Sequence, residues 1–202
     1  MRAEYGFSLL ELVIVMVLIS LLAVGAMQPI LSAFRSRAAV AANLSAIDGL
    51  RYATERIVRE LRQARFDAQG SGFQLVPLDV MAGLSNASTG ICFTRVGGTA
   101  GDALTSVAVR LSGTQATLDR VTLPGCAASA PKTLADPVSA VRFDYWAYGS
   151  GSTPLPLAVA DAQFSTRLAY VDITLSATPG NGPAVSYHSR VVLRNGAWGV
   201  RK

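Results

Sequence analysis

The sequence has few of the residues from which catalytic and metal sites are built. Among its 202 residues there are one histidine, His188, and two cysteines, Cys92 and Cys126. A Ser–His–Asp site needs a positioned histidine, and a zinc site needs several nitrogen or sulfur ligands. His188 shares its predicted strand face with Arg190 and Arg194, so we expect it to face solvent. The sequence therefore predicts a protein that is not an enzyme and holds no metal and no cofactor.

Charge is also sparse. Only 15% of the residues are charged, and the net charge is +5. The basic residues are nearly all arginines spread along the chain, without a dense cluster interleaved with aromatics, which argues against a nucleic-acid-binding surface. The Gly-rich stretch 97–101 lacks the lysine of a phosphate-binding loop. We expect Trp146 and Trp198 to pack within the domain and not to form a ligand platform.

The two cysteines leave two interpretations open. Neither belongs to a C-x-x-C pair, and a metal site would need more ligands. A disulfide between Cys92 and Cys126 is favoured if this part of the chain lies outside the cytoplasm. It would stabilise the fold by roughly 3–4 kcal/mol. The alternative is two buried free thiols.

One long apolar run, residues 7–31, begins near the N-terminus. As a helix it would span roughly 37 Å, against a bilayer core of about 30 Å. A secretory signal has a shorter apolar stretch followed by a cleavage site, whereas here the helical pattern continues, so we predict a retained membrane anchor. Gly25 lowers the stability of the helix and Pro29 removes one backbone hydrogen bond, which predicts a bend or local melting near these two residues.

An amphipathic helical pattern follows the apolar run. It predicts one helix from about residue 7 to about residue 65, with three oppositely charged i,i+4 pairs: Arg51–Glu55, Glu55–Arg59 and Arg56–Glu60. The charged side chains of this segment, those of the three pairs included, are expected on its polar faces. The predicted apolar stripe consists of Val40, Leu44, Ile47, Leu50, Thr54, Ile57, Leu61 and Ala64. An apolar stripe of this kind packs against another part of the protein, and we expect that part to be a sheet.

After residue 72 the pattern changes to the alternation typical of strands. We predict strands at 73–76, 91–96, 106–111, 117–123, 141–148, 168–176 and 187–194. The pair 195–196 is Asn-Gly and predicts a hairpin, with 197–200 returning as an edge strand. Exposed loops are predicted at 97–102, 125–135, 149–156 and 179–183. The fold class is therefore α+β, with a long N-terminal helix, half membrane-spanning and half amphipathic, packed on an antiparallel sheet.

Glu11 carries the one carboxylate of the apolar run, and an acidic group is energetically unfavourable at that position. An acidic side chain at membrane depth is disfavoured by roughly 2.5–3.5 kcal/mol, and such residues are usually functional. Residues 6–11 read Gly-Phe-Ser-Leu-Leu-Glu and precede the apolar helix. This motif resembles the prepilin motif shared by type IV pilins and the pseudopilins of type II secretion.

The resemblance implies a processing event and a role for Glu11. A prepilin peptidase would cut between Gly6 and Phe7 and methylate the new amino terminus of Phe7. In a filament, that amine would pair with Glu11 of an adjacent subunit and fix the axial register between neighbours. The implied segments are a leader at 1–6, a membrane and filament-core helix at 7–31, an amphipathic helix at 32–66 and a periplasmic β-rich domain at 67–202.

The implied location is the inner membrane, with a single pass and the C-terminal domain in the periplasm. The positive-inside count favours, if anything, a cytoplasmic C-terminus, because Arg35 and Arg37 follow the run while Arg2 precedes it. The cysteines and the motif favour the opposite orientation. We give them more weight because so few charges are counted.

In its length and in the stretch 55–64, the chain resembles minor pilins and the J-type minor pseudopilins of type II secretion. That resemblance implies a non-enzymatic subunit near the filament tip that primes assembly. Its partners would be other pilins through their N-terminal helices, the prepilin peptidase and an inner-membrane assembly platform. A tip adhesin or DNA-binding minor pilin is the alternative, and a signal-anchored periplasmic enzyme is a third possibility that the missing active site disfavours.

Overall fold

A computed structural model describes residues 8–67, 72–95, 105–122, 126–128, 131–149, 153–179 and 183–193. Contacts divide the chain into two compact units, Met1–Ala42 and Asn43–Lys202. The first unit contains the N-terminal part of helix α1, Leu9–Leu61. The second contains the rest of that helix, a ten-stranded antiparallel sheet and a two-stranded one. This arrangement confirms the predicted α+β class.

Within the second unit, the C-terminal part of helix α1 packs in the core through part of the predicted stripe. Its buried residues are Ala46, Leu50, Ala53, Thr54, Ile57, Glu60 and Leu61. The stripe prediction was wrong for its first three members, Val40, Leu44 and Ile47, which are 57%, 58% and 37% exposed. Ala46 is the first side chain of the helix to be buried. Apolar spacing alone does not show where along a helix the packing begins.

Glu60 was predicted on a polar face, and this was wrong. It is 2% exposed. Arg56 Nη2 lies 2.7 Å from one of its carboxylate oxygens and Arg95 Nη1 lies 2.9 Å from the other. Two guanidinium groups therefore offset the cost of burying this carboxylate. Of the other predicted pairs, Arg51–Glu55 forms at 2.9 Å, while Glu55–Arg59 is not an ion pair among the described residues.

The described residues of the second unit form twelve strands and a one-turn helix. The strands are β1 Phe66–Asp67, β2 Gly72–Phe73, β3 Leu75–Val80, β4 Ala87–Arg95, β5 Thr105–Ser112, β6 Gln115–Thr122, β7 Ala127–Ala128, β8 Lys132–Ala135, β9 Ala140–Tyr148, β10 Pro154–Pro156, β11 Leu168–Ala177 and β12 Val185–Val192. Helix α2 is Phe164–Arg167.

Every strand pair is antiparallel, and β1 pairs with β2 in a small separate sheet. The main sheet has the order β12-β11-β9-β4-β5-β6-β7, with β3 on β4, β10 on β9 and β8 on β6. Two predicted loops were wrong in part, because 125–135 contains β7 and β8 and 149–156 contains β10. These short strands join existing edges through backbone pairing, which their Ala-, Lys- and Pro-containing sequences do not signal. The 97–102 loop, Trp198 and the 195–200 hairpin lie outside the described residues.

One face of the main sheet forms the core with the helix. The predicted alternation in β9 is confirmed, because Val141, Phe143 and Tyr145 are buried on this face. In β11 the buried side chains on the same face are Val171, Ile173 and Leu175, again as predicted. Leu50, Ile57 and Leu61 of α1 belong to the same apolar cluster. The amphipathic half of the helix therefore supplies one wall of the core.

A polar pair lies inside this core. The hydroxyl of Tyr145 is 2.6 Å from Ser88 Oγ, which lies 2.7 Å from the carbonyl oxygen of Gly90. Ser88 has one hydroxyl hydrogen and donates it to Gly90, so Tyr145 must donate to Ser88. Burial raises the pKa of Tyr145 well above its usual value. The tyrosine therefore stays neutral in the folded protein.

Cys92 and Cys126 form a disulfide, as predicted, and the alternative of two free thiols was wrong. The bond belongs to a second apolar cluster with Ala108 and Val121, against which Leu78 packs. Cys92 lies directly opposite Ala108 in the β4–β5 pairing, while its neighbours Ile91 and Phe93 belong to the helix-facing core. The disulfide therefore joins the segment carrying Cys126 to the other face of the sheet.

Removing the disulfide should destabilise the second unit without changing its fold. We expect the Cys92→Ala/Cys126→Ala variant of the full chain to lose about 2–4 kcal/mol of unfolding free energy, because its unfolded state is no longer cross-linked. Denaturant unfolding in mild detergent, with and without reductant, measures this. The wild type should shift on reduction and the double variant should not. An unchanged midpoint for reduced wild type would show that the bond contributes nothing.

Candidate assembly site

The described part of the first unit, Ser8 to Ala42, exposes an apolar surface along its length. Every side chain from Ser8 to Ala42 is exposed. They include large apolar residues, with Leu21, Leu22 and Val24 at 66–73% exposure. Contiguous apolar surface of this extent marks a site for lipid or for other protein. The N-terminal half of α1 is therefore the described segment whose apolar surface most requires covering by lipid or by other protein.

This half of the helix is long and apolar enough to cross a bilayer by length and composition. Two of its serine hydroxyl groups are satisfied by the helix backbone. Ser20 Oγ donates to the carbonyl of Met16 and Ser32 Oγ donates to the carbonyl of Pro29, both at 2.8 Å. Internal hydrogen bonds of this kind are what a segment needs in an environment without water.

The helix passes through Gly25 and Pro29 without interruption. Proline has no N–H, and the missing bond is the one that the carbonyl of Gly25, four residues earlier, would accept. Gly25 also has open space where a side chain would stand. These two residues therefore weaken the same turn. The bend or local melting there stays a prediction.

Glu11 lies in the first turn of α1. The backbone carbonyl of Ser8, just before the helix, accepts hydrogen bonds from the backbone N–H of Glu11 at 3.0 Å and of Leu12 at 3.2 Å. A carboxylate in the first turn is favoured beside the positive end of the helix dipole. Helix-start chemistry therefore accounts for an acid at this position, but only in part. It does not neutralise the charge within an apolar environment.

No salt bridge of Glu11 is found among the described residues. Its neighbours in the helix, Leu10, Leu12 and Val13, are exposed and apolar. Gly6 and Phe7, the residues of the predicted cut and methylation, lie outside the described part of the chain, so that event stays a prediction.

The second unit carries buried carboxylates that sequence reasoning did not find. Asp144 on β9 and Asp172 on β11 stand directly opposite each other. Arg142 Nε lies 2.8 and 2.9 Å from the oxygens of Asp144. Arg190 donates to Asp172 through Nε at 2.7 Å and Nη2 at 2.9 Å. Each acid is held by its own guanidinium, which is the arrangement of structural ion pairs.

Aromatic residues continue this face of the sheet. Trp146 stacks on Tyr170 with ring centroids 5.9 Å apart and planes at 11°. The guanidinium of Arg190 lies 4.3 Å from the centre of the Tyr170 ring. The prediction that Trp146 is a packing residue is confirmed. His188 is exposed with Nδ1 3.2 Å from Thr174 Oγ1, as expected of a solvent-facing histidine.

The described residues contain no group of three or more His, Cys, Asp or Glu side chains that could hold a metal ion. The buried acids lie beside arginines, whose positive charge opposes cation binding. The feature that stands out in the described part of the chain is Glu11, an acid without an ion pair there at the start of an exposed apolar helix.

Comparison with known proteins points to the same segment. Residues 1–27 match the model of the prokaryotic N-terminal methylation motif. No curated protein matches the chain. The match and the long apolar helix together support a type IV pilin-like prepilin. The motif implies processing by a prepilin peptidase and assembly with other pilins, and the helix suggests membrane anchoring.

Two matched substitutions should separate the roles of the two halves of α1. Leu18 and Leu44 are 55% and 58% exposed, so an arginine at either position disturbs the fold equally little. We expect Leu18→Arg to disfavour membrane insertion by roughly 2.5–3.5 kcal/mol and Leu44→Arg to have little effect. Carbonate extraction of membranes measures this. Equal retention of both variants would argue against residues 7–31 as the anchor.

Proposed function

We propose that this type IV pilin-like prepilin is a minor pilin or pseudopilin subunit, assembled into a type IV pilus or a type II secretion pseudopilus. The observation that carries the proposal is the exposed apolar helix with Glu11 in its first turn. A filament core of packed helices would bury this surface, and lipid would cover it before assembly. The role is structural, and the second unit supplies identity and lateral contacts.

Cleavage between Gly6 and Phe7 would create the partner that Glu11 lacks. The new amine of Phe7 carries a positive charge when it is protonated. In the filament, the amine of one subunit would lie beside the Glu11 carboxylate of its neighbour. A shifted register would leave both charges unpaired in an apolar core, and breaking such a buried pair costs about 3–5 kcal/mol. The pairing would therefore select one axial register.

The proposed location is the inner membrane, with the second unit in the periplasm before assembly. The Cys92–Cys126 disulfide supports this orientation, since disulfides persist in oxidising compartments such as the periplasm. The proposed segments are the leader at 1–6, the anchor and filament-core helix at 7–31, the amphipathic helix at 32–66 and the periplasmic domain at 67–202.

A position at the filament tip, priming assembly, is the finer part of the proposal. It rests on the length of the chain and on the resemblance of the stretch 55–64 to J-type minor pseudopilins. The alternative is a tip adhesin or DNA-binding minor pilin, for which the net charge of +5 is the supporting feature. The two roles differ in whether filaments form without the protein.

Deletion and complementation would test both parts of the proposal. A priming subunit predicts that deleting the gene removes most filaments and that the wild-type gene restores them. We expect Glu11→Ala to fail in restoring them, because the amine of the neighbouring subunit has no counter-charge. Glu55→Ala should succeed, since it removes an exposed acid from the same helix outside the apolar half. Filament counts by electron microscopy give the result.

The outcomes separate the hypotheses. Filaments in normal number without the gene, but lacking adhesion or DNA uptake, would replace priming with the binding role. Full restoration by Glu11→Ala would reject the register mechanism. Immunoblots of the membrane fraction must show equal amounts of both variants, so that a loss of filaments is not a loss of protein.

A further inference from the structure

A buried acid lies on the face of the main sheet that carries the disulfide. Asp119 on β6 is 1% exposed and stands opposite Ala108 on β5. Ala108 in turn stands opposite Cys92 on β4 and belongs to the cysteine cluster, so these three residues form one row across three strands. The pilin-like function assigned to the apolar helix uses none of them. The disulfide therefore has a charged neighbour that needs an explanation of its own.

Arg110 joins this acid to the backbone of Cys126. It follows Ala108 by two residues on β5 and so lies on the same face of the sheet. Its Nε lies 3.9 Å from Asp119 Oδ2, and its Nη2 donates a hydrogen bond of 2.7 Å to the carbonyl oxygen of Cys126. Because a buried carboxylate is costly without a nearby positive charge, Asp119 favours a guanidinium in this place. Arg110 thus bridges the sheet and the segment that carries Cys126.

The backbone of Cys126 needs this support because its conformation is unfavourable. Its φ is 50°, in the left-handed region that residues other than glycine rarely adopt. Three contacts hold it there: the disulfide to Cys92, the hydrogen bond from Arg110, and the pairing of β7, the next two residues, with β6. Two of the three do not require the covalent bond. They therefore hold Cys126 on the sheet beside Cys92 in the reduced protein as well.

We propose that Arg110, supported by Asp119, is a positioning residue for formation of the Cys92–Cys126 disulfide. The arginine favours the meeting of the two sulfur atoms because it fixes the carbonyl of Cys126 on the sheet. Arg110 and Asp119 are themselves brought together by the β5–β6 pairing. The bond therefore closes after this part of the sheet has folded.

The reaction is thiol–disulfide exchange with an external disulfide. One cysteine thiolate attacks that disulfide and releases a thiol, and the second cysteine then attacks the mixed disulfide and releases another. The two protein thiols lose two electrons and two protons, which the oxidant takes up as its two thiols. Positioning acts on the second step, in which the two protein sulfur atoms must meet.

The equilibrium with glutathione tests the proposal on the full-length protein in neutral detergent. The protein is equilibrated with mixtures of reduced and oxidised glutathione and alkylated, and mass spectrometry gives the oxidised fraction. We expect Arg110→Gln to lower the effective concentration of the cysteine pair about tenfold, the effect of losing one hydrogen bond to a charged group. Asp119→Asn should shift it in the same direction, because the arginine loses its counter-charge while the side-chain volume is kept.

Two further variants separate positioning from general stability. Arg142→Gln is the matched control, because Arg142 is also part-exposed and pairs with a buried acid on the same sheet, but lies on β9, outside the cysteine cluster. It should leave the equilibrium within about twofold of the wild type. Arg110→Lys keeps a cation and a donor and should recover part of the loss, and it carries the test with Asp119→Asn if Arg110→Gln does not fold when reduced.

The reduced protein gives a second readout at the residue itself. Iodoacetamide should alkylate Cys126 faster in Arg110→Gln than in the wild type, because one of the contacts that hold its backbone is gone. Arg142→Gln should react at the wild-type rate. Peptide mapping after short exposure gives the rate for each cysteine.

The proposal is wrong if the Arg110 and Asp119 variants leave both the effective concentration and the alkylation rate of Cys126 within about twofold of the wild type. It is equally wrong if Arg142→Gln changes them as much as Arg110→Gln does, since the effect would then be one of general stability. Neither measurement involves filament assembly, so this inference and the pilin-like function are tested separately.

Discussion

A charged carboxylate in apolar surroundings is costly without a positive partner, and Glu11 has none among the described residues. This requirement determines what the N-terminal segment can do. The helix around it is exposed and apolar from Ser8 to Ala42 apart from a few polar side chains, so water is not its final environment. Lipid and neighbouring helices can cover the apolar surface, but neither removes the charge. In the proposed filament, the new amine of Phe7 on a neighbouring subunit would supply the counter-charge.

In the second unit, buried acids are paired with arginines. Glu60 is bound by two arginines, and Asp144 and Asp172 have one each. In all three cases the arginine belongs to the same unit as the acid, so the ion pair forms when that unit folds. Glu11 differs because its proposed partner does not exist until the peptide bond after Gly6 is cut. Its electrostatic cost would therefore be relieved at assembly and not at folding.

The sequence predicted the long helix, the α+β class, the disulfide and the main strands, because each has a local signal. Alternation placed Phe143 and Ile173 in the core correctly. The pattern did not show that helix packing starts at Ala46, since Leu44 continues the same apolar spacing while remaining exposed. The short strands β7, β8 and β10 were missed because they depend on a neighbouring edge more than on their own residues.

Of the charged groups in the two units, only some could be predicted from the sequence. Glu11 could be found from sequence because it interrupts an otherwise apolar run. The ion pair of Glu60 with Arg95 could not, because these two residues are far apart in the chain and meet only in the fold. Glu60 was assigned to a polar face for the same reason: its partner Arg95 comes from a strand, and helical spacing carries no information about it.

The most direct test of the central claim is the mass of the N-terminal peptide of the protein isolated from membranes. The account predicts a peptide that begins at Phe7 and carries one added methyl group on its amine. That species is the proposed partner of Glu11. A peptide that still begins at Met1, or one produced by a cut inside the apolar run near Ala26, would contradict the account.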